Sequence, residues 1–229
     1  MTTFNHVPLV PYEEAKKPLL ISNNGYSHYE IDGRKVTRIT QTLKDYENEG
    51  LIKWRNKMGA YAANLEAKRG LERGNSVHKI SEAYLNNSCT CKYESEILGY
   101  GMFNALRPYL NRISNIRAIE APVYHSGFNV AGTADIVAEF DSADGELSII
   151  DIKSSKLPKR LDWCKKYFLQ MTFYSLALES MTNITIDNIV ALEVSENGVV
   201  QVLKQHRSHW VKELETIIAN YKQLHGVSL

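Results

Sequence analysis

Asp151 and Lys153, in the stretch Leu147-Ser-Ile-Ile-Asp151-Ile-Lys153-Ser-Ser, are the residues from which a chemical reading starts. Two positions apart on a strand, their side chains emerge from one sheet face together with Ile149, while Ile150 and Ile152 point into the opposite layer. A carboxylate and an ammonium on an otherwise apolar strand need a reason. The segment Gly132-Thr-Ala-Asp135 supplies a second carboxylate, and a hairpin turn between Phe140 and Glu146 brings the Asp151 strand back beside it. Two clustered carboxylates repel each other unless a cation lies between them, which is how hard-metal sites for Mg²⁺ or Mn²⁺ are built. A lysine beside such a site orients a water and counters negative charge developing on a phosphate. The chemistry indicated is metal-assisted attack of water on a phosphodiester. Taken alone, an Asp-x-Lys pair on a strand is most often a solvated surface ion pair.

The flanking sequence shifts that balance. Arg73-Gly74-Asn-Ser-Val-His78-Lys-Ile-Ser-Glu82 places His78 and Glu82 one helical turn apart, and Gln170 and Tyr174 share the same i,i+4 spacing downstream. Glu120, in Ile119-Glu120-Ala-Pro-Val, adds a carboxylate on the strand before Asp135. Each has a plain alternative: a structural histidine, a polar stripe on an amphipathic helix, a solvated acid. From Lys153 to Lys166 six basic residues (Lys153, Lys156, Lys159, Arg160, Lys165, Lys166) stand against the single acid Asp162, with Trp163 and Tyr167 interleaved. That mixture suits phosphate contacts beside base stacking. Packing of the same aromatics on the sheet is the competing reading, most of all for Trp163. Arg34, Lys35, Arg38 and the Trp54-Arg55 pair are candidates for the opposite wall of a channel.

Three zones must position these groups. In residues 1–50, Asp32-Gly33 between the alternating runs 26–31 and 35–40 predicts a hairpin. Residues 51–113 read as helical: Leu51, Ile52, Trp54, Met58, Tyr61 and Leu65 recur at helical spacing with Gly70 as a stop, and further helices follow over 73–85 and 94–111. From residue 116 the period changes. Strands over 118–124, 128–140 and 146–152 precede a helix over 158–181, strands over 188–194 and 199–203, and a final helix over 208–224. The order βββαββα predicts an α/β fold, a mixed sheet flanked by helices behind an N-terminal hairpin and helical prelude. A single domain is expected over 1–229, with 1–115 as the prelude and 116–229 as the sheet core.

Composition removes several classes. With 229 residues, 44% hydrophobic and 23% charged, the chain is an ordinary globular one, which excludes disorder, collagen-like repeats and coiled-coil rods. A net charge of +1 shows no bulk attraction to nucleic acid or membrane, so any DNA affinity must come from a local patch. Cys89, Cys91 and Cys164 do not form the even, dense set of a secreted disulfide scaffold. No signal or transit peptide is evident in residues 1–11, and no apolar run approaches membrane-spanning length. The expectation is a soluble, reduced, cytoplasmic protein without membrane contact.

The ordered set Gly74-x-x-x-His78-x-x-x-Glu82, Glu120-x-Pro-Val, Gly132-x-x-Asp135, Asp151-x-Lys153 and Gln170-x-x-x-Tyr174 resembles the RecB-like branch of the PD-(D/E)xK nuclease superfamily. The Gly-Thr-x-Asp and Asp-x-Lys-Ser-Ser forms are similar to those of mitochondrial and phage exonucleases. The resemblance covers about residues 34–192, including a Lys35-Val-Thr-Arg-Ile-Thr40 segment like the N-terminal strand of such proteins. It implies a restriction-endonuclease-like core and a metal-dependent DNA exonuclease acting on single strands or DNA ends in replication, recombination or repair.

By that resemblance Asp135 and Asp151 are metal ligands for Mg²⁺ or Mn²⁺, joined by His78, Glu120 and the Ile152 carbonyl. Lys153 positions the water, and Gln170 and Tyr174 brace the site or touch the DNA backbone. Arg38, Arg73, Ser154, Ser155, Lys156, Lys159, Arg160 and Lys166 are the expected DNA contacts. Sister branches carry four cysteines around an iron–sulfur cluster; this chain has three, so none is expected, and Cys89 and Cys91 read as loop or small-core residues. A replication or recombination protein is an expected partner, and the cytoplasm of a host cell the location if the gene is phage-borne. The alternatives are a non-catalytic nucleic-acid-binding protein on the same fold and a restriction-type endonuclease.

Overall fold

The computed structural model describes residues 2–23, 26–44, 49–142 and 144–225, without the side chains of residues 23, 26 and 49–51. The helices are α1 (Val10–Glu14), α2 (Ile39–Thr42), α3 (Glu49–Met58), α4 (Ala60–Leu85), α5 (Ile97–Leu110), α6 (Lys165–Thr182) and α7 (Val211–His225). The strands are β1 (Leu19–Asn23), β2 (Tyr26–Ile31), β3 (Arg34–Arg38), β4 (Ile113–His125), β5 (Val130–Phe140), β6 (Leu147–Ser155), β7 (Asn188–Ser195) and β8 (Val200–His206).

The Asp32-Gly33 hairpin forms as its sequence requires. Ile31 pairs with Arg34 across two residues whose φ values are 53° and 72°, the doubly left-handed turn that matches strand twist. β1 was not anticipated; its pairing with β2 extends the hairpin to three strands. Asn23-Asn24-Gly25 is turn-rich in sequence, and Asn24 and Gly25 lie outside the described residues.

The helical zone differs in one respect. α4 runs 26 residues straight through Gly70 and Gly74, and the break falls instead at Gly59, whose φ of 79° is one that L side chains rarely adopt. A glycine inside a helix costs only about 1 kcal/mol relative to alanine, and burial of Val77, Ile80 and Leu85 exceeds that at about 1.5–3 kcal/mol each. The apolar positions read at helical spacing stay open to solvent: Trp54, Met58, Tyr61 and Leu65 are all exposed.

Eight strands form one mixed sheet in the order β1-β2-β3-β5-β6-β7-β8, with β4 on the other edge of β5. Phe168, Phe173, Leu178, Leu214 and Ile218 from α6 and α7 pack on one face against Val137, Ile149, Ile189 and Ala191. Val77, Ile80, Met102, Phe103 and Leu106 from α4 and α5 cover the other, against Ile136, Ile150, Ile152, Val190 and Leu192. The alternation along β6 is therefore as expected: Ile149 goes to the α6 side, Ile150 and Ile152 to the α4 side.

Cys89 and Cys91 are exposed in the loop after α4, where they are joined in a disulfide across one residue, while Cys164 is a buried thiol. The expectation of a wholly reduced chain is corrected on that point.

Candidate active site

Two different strands occupy one edge of β5. β3 pairs with it in parallel at Thr37–Val130 and Arg38–Ala131, and β6 pairs antiparallel from Ile136–Ile150 onward. Residues 132–135 lie between these ladders, so β6 splays away where Asp135 and Asp151 face each other. Asp135 Oδ2 accepts a hydrogen bond from the Ile152 N–H at 2.9 Å, a side chain standing in for the next main-chain rung.

On the opposite edge β4 changes face at Glu120. Ala118, Ala121 and Val123 join the α6-side core and Ile119 the α4-side core, while Glu120 itself has a φ of 49°. It falls between the pairs Ile119–Ile136 and Ala121–Ala134, opposite Asp135. A non-glycine residue held in the left-handed region costs on the order of 1–3 kcal/mol, and such strain is sustained where the surrounding structure imposes it. Here the ladders on both sides of Glu120 impose it, and the result is a carboxylate aimed at Asp135.

α4 brings His78 over the same point, with Nδ1 3.3 Å from Asp135 Oδ2. His78, Glu120 and Asp135 each offer one ligand atom, all within 4.8 Å of one another. Withdrawal of its carboxyl from water, reinforced by the charges of Asp135, Glu82 and Asp151, pushes Glu120 up to about 7, although the residue keeps an open side.

Asp151 is fully buried and lies outside that trio. Its carboxylate is held by the Lys153 ammonium at 2.5 Å and has no other partner among the described residues. Burial, then the charge of Asp135, raises its pKa against the pull of Lys153. For Lys153 burial opposes the charged form, but Asp151, Asp135 and Glu120 outweigh it and hold the ammonium above the usual lysine range. Lys153 Nζ donates to Gln170 Oε1 at 3.2 Å, and Gln170 Nε2 donates to the Tyr174 hydroxyl at 2.5 Å. Burial first, then Asp151 and Asp135, raise Tyr174 well above its ordinary value.

Three carboxylates and one imidazole thus converge on a lone lysine. The buried Asp151 carboxylate, balanced by Lys153 alone among the described residues, and the mutual repulsion felt by Glu120 leave an excess of negative charge that a divalent cation with oxygen and nitrogen ligands fits. Of the expected ligands the structure gathers His78, Glu120 and Asp135 tightly and keeps Asp151 against Lys153. Ile152 contributes its N–H to Asp135.

The expected DNA contacts separate into two kinds. Lys156 and Arg160 are exposed, in surface pairs with Glu66 at 3.4 Å and Asp162 at 3.2 Å. Lys166 is half-buried on α6. Arg73 is mostly buried, 2.5 Å from Glu196, and its Nε donates to the Ser154 hydroxyl at 3.4 Å. Arg38 donates to the Ser27 hydroxyl. Ser155 is buried and donates to the Leu157 carbonyl, and Lys159 turns inward to donate to the Tyr167 hydroxyl. Trp163 points to solvent, not into the sheet. Glu193 was missed: it is a lone acid in the apolar run Ile189-Val-Ala-Leu-Glu193-Val, the same signal that pointed to Asp151.

Two glycines near the site behave differently. A Cβ on Gly132 would lie 2.6 Å from Tyr174 Cε1 and 3.0 Å from Ile39 Cγ2, whereas one on Gly74 would meet the Ser154 hydroxyl at an ordinary 3.5 Å. Gly132→Ala is expected to cost about 1–3 kcal/mol in chemical denaturation. Gly74→Ala should be neutral or stabilising by up to about 1 kcal/mol. Equal effects at the two positions would contradict the close packing assigned to Gly132.

A family model described as the PD-(D/E)XK nuclease superfamily matches residues 93–223, more than half of the chain. The chain belongs to this superfamily. Its helix-flanked mixed sheet is a restriction-endonuclease-like fold, and it is a hydrolytic nuclease of a group that uses divalent metals. Mitochondrial genome maintenance exonuclease 1 of Homo sapiens is 29% identical over 144 residues, covering 60% of this chain and 39% of that protein. The Mus musculus protein of the same name is 29% identical over 136 residues, covering 55% and 38%. The chain spans about two-fifths of the length of these curated relatives. The family match takes in Glu120, Asp135, Asp151, Lys153, Gln170 and Tyr174; His78 on α4 precedes it. No described helix is long and apolar enough to cross a membrane.

Proposed function

We propose that this protein is a divalent-metal-dependent exonuclease that hydrolyses phosphodiester bonds of single-stranded DNA or DNA ends. The observation that carries the reading is the fully buried Asp151 carboxylate, paired with the mostly buried Lys153 ammonium, beside the His78, Glu120, Asp135 trio, where β3 and β6 part along β5. His78, Glu120, Asp135 and Asp151 would hold the cation, with the Ile152 carbonyl as a further donor. The cation, when bound, polarises a phosphate oxygen and acidifies a water. Lys153, kept charged by Asp151 and aimed by Gln170, orients that water and offsets charge gathering on the phosphate. Tyr174, wedged over Gly132, fixes Gln170.

The open stripe Trp54, Met58, Tyr61 and Leu65 on α3 and α4 offers aromatic faces for unpaired bases, and the exposed Trp163 another. That favours a single strand over duplex, and both curated relatives are named as exonucleases. In this reading residues 1–229 form one nuclease domain acting in the cytoplasm, in that of a host cell if phage-borne, with a replication or recombination protein as partner. Magnesium-supplemented digestion of end-labelled single-stranded, duplex and circular DNA tests it. Linear single strands are expected to shorten from an end while circles stay intact. Cut circles would make the protein an endonuclease, and binding without cleavage would make it a non-catalytic binder.

Lys156 and Arg160, two exposed cations of the basic run, are expected to meet DNA phosphates. Replacing both by alanine should weaken binding to all sequences alike and reduce the slope of log affinity against log salt by about 0.7–0.9 for each phosphate no longer neutralised. An unchanged slope would leave them as surface partners of Glu66 and Asp162.

A further inference from the structure

We propose that Glu193 on β7 is a positioning residue of the cleavage site: its buried carboxylate draws Lys159 inward and thereby holds the Tyr167 ring against Lys153. The parallel β6–β7 ladder pairs Lys153 with Glu193 and Asp151 with Ala191, so Glu193 projects from the same face as Lys153, one strand spacing away. It has no exposed surface, and neither of its oxygens accepts a hydrogen bond. The nearby Ser155 hydroxyl gives its proton to the Leu157 carbonyl. The cations that face it are Lys159 and Arg73, and Arg73 is committed to Glu196 at 2.5 Å and to Ser154. Lys159 is left as the countercharge.

The neighbouring strand supports that assignment. Gln201 on β8, the ladder partner of Glu193, grips the main chain of Lys159 from both sides, accepting from its N–H at 3.0 Å and donating to its carbonyl at 3.1 Å. The Lys159 ammonium then donates to the Tyr167 hydroxyl and sits 4.6 Å from the ring centroid. The Lys153 ammonium lies 5.4 Å from the same centroid. Tyr167 is thus held between two lysines, one reaching the cleavage site and one tethered by Glu193 and Gln201, each attracted by the ring's negative face.

A buried carboxylate without hydrogen bonds is costly to keep, yet removing it leaves the inward Lys159 ammonium without its countercharge. A residue that weakens the fold beside the cleavage site points to a functional gain.

The activity arm of the test rests on the nuclease reading; a spectroscopic arm does not. Glu193→Met and Glu193→Gln are made in the full chain. Both are expected to stay folded, to lower kcat on end-labelled DNA at least ~10-fold, and to change KM less than ~2-fold. The side-chain NMR signal of Lys153 should shift in both. Unchanged kcat in the folded variants, or a Lys153 signal that stays in place in both, would overturn the proposal. A wild-type protein inactive on every DNA would refute the nuclease reading, and the Lys153 signal would still decide the role of Glu193.

Discussion

Lys153→Ala is expected to abolish DNA cleavage while leaving the fold and DNA affinity largely intact. The lysine acts on charge that develops in the transition state, so its loss falls on kcat, by at least about 100-fold. The fold tolerates the change because Asp151, raised by burial and by Asp135, can take up a proton once its ammonium partner is gone. The reverse substitution is not equivalent. Asp151→Ala also abolishes cleavage, but it leaves a mostly buried ammonium with Gln170 as its hydrogen-bond acceptor, and breaking such a pair costs up to about 3–5 kcal/mol. Asp151→Asn keeps the volume and is the better probe of chemistry alone. Single-turnover cleavage paired with thermal unfolding checks both. Retention of more than about a tenth of wild-type rate, only about 1.4 kcal/mol of barrier, would remove Lys153 and Asp151 from the site.

His78→Ala is expected to lower divalent-metal affinity and activity, and to do so more with Mn²⁺ than with Mg²⁺. Imidazole suits Mn²⁺ better than Mg²⁺, which prefers an all-oxygen octahedron. The ring nitrogen 3.3 Å from Asp135 and the 4.8 Å span of the trio place His78 where one ion would meet all three residues. Wild-type protein should work at least as well with Mn²⁺, and Ca²⁺ should bind without supporting turnover. Calorimetric titration of each metal into wild type and His78→Ala, alongside rates, reads this directly. Equal losses in both metals with unchanged Mn²⁺ affinity would make His78 a structural partner of Asp135.

What the sequence disclosed here was local. The period of β6 put Asp151, Lys153 and Ile149 on one face, and Asp32-Gly33 announced its hairpin, because each depends on residues within a few positions. What it hid was non-local. The parting of β3 and β6 along β5 requires Thr37 to find Val130, and no spacing within either segment reports that. The left-handed Glu120 runs against residue preference and is set by the ladders around it. Gly70 read as a stop because propensity favoured one, and packing of the later turns of α4 overrode it. Lys159 reads as a DNA contact within its basic run, and it is β7 and β8 that bring Glu193 and Gln201 against it.

Metal dependence is decided most directly by cleavage of end-labelled linear single-stranded DNA with chelator-stripped protein, before and after a divalent cation is restored. No product is expected after stripping, full activity on adding Mg²⁺ or Mn²⁺, and none with either ion in Lys153→Ala. Cleavage that persists in excess chelator, or that survives in Lys153→Ala, would contradict a metal-dependent nuclease site built on Asp135, Asp151 and Lys153.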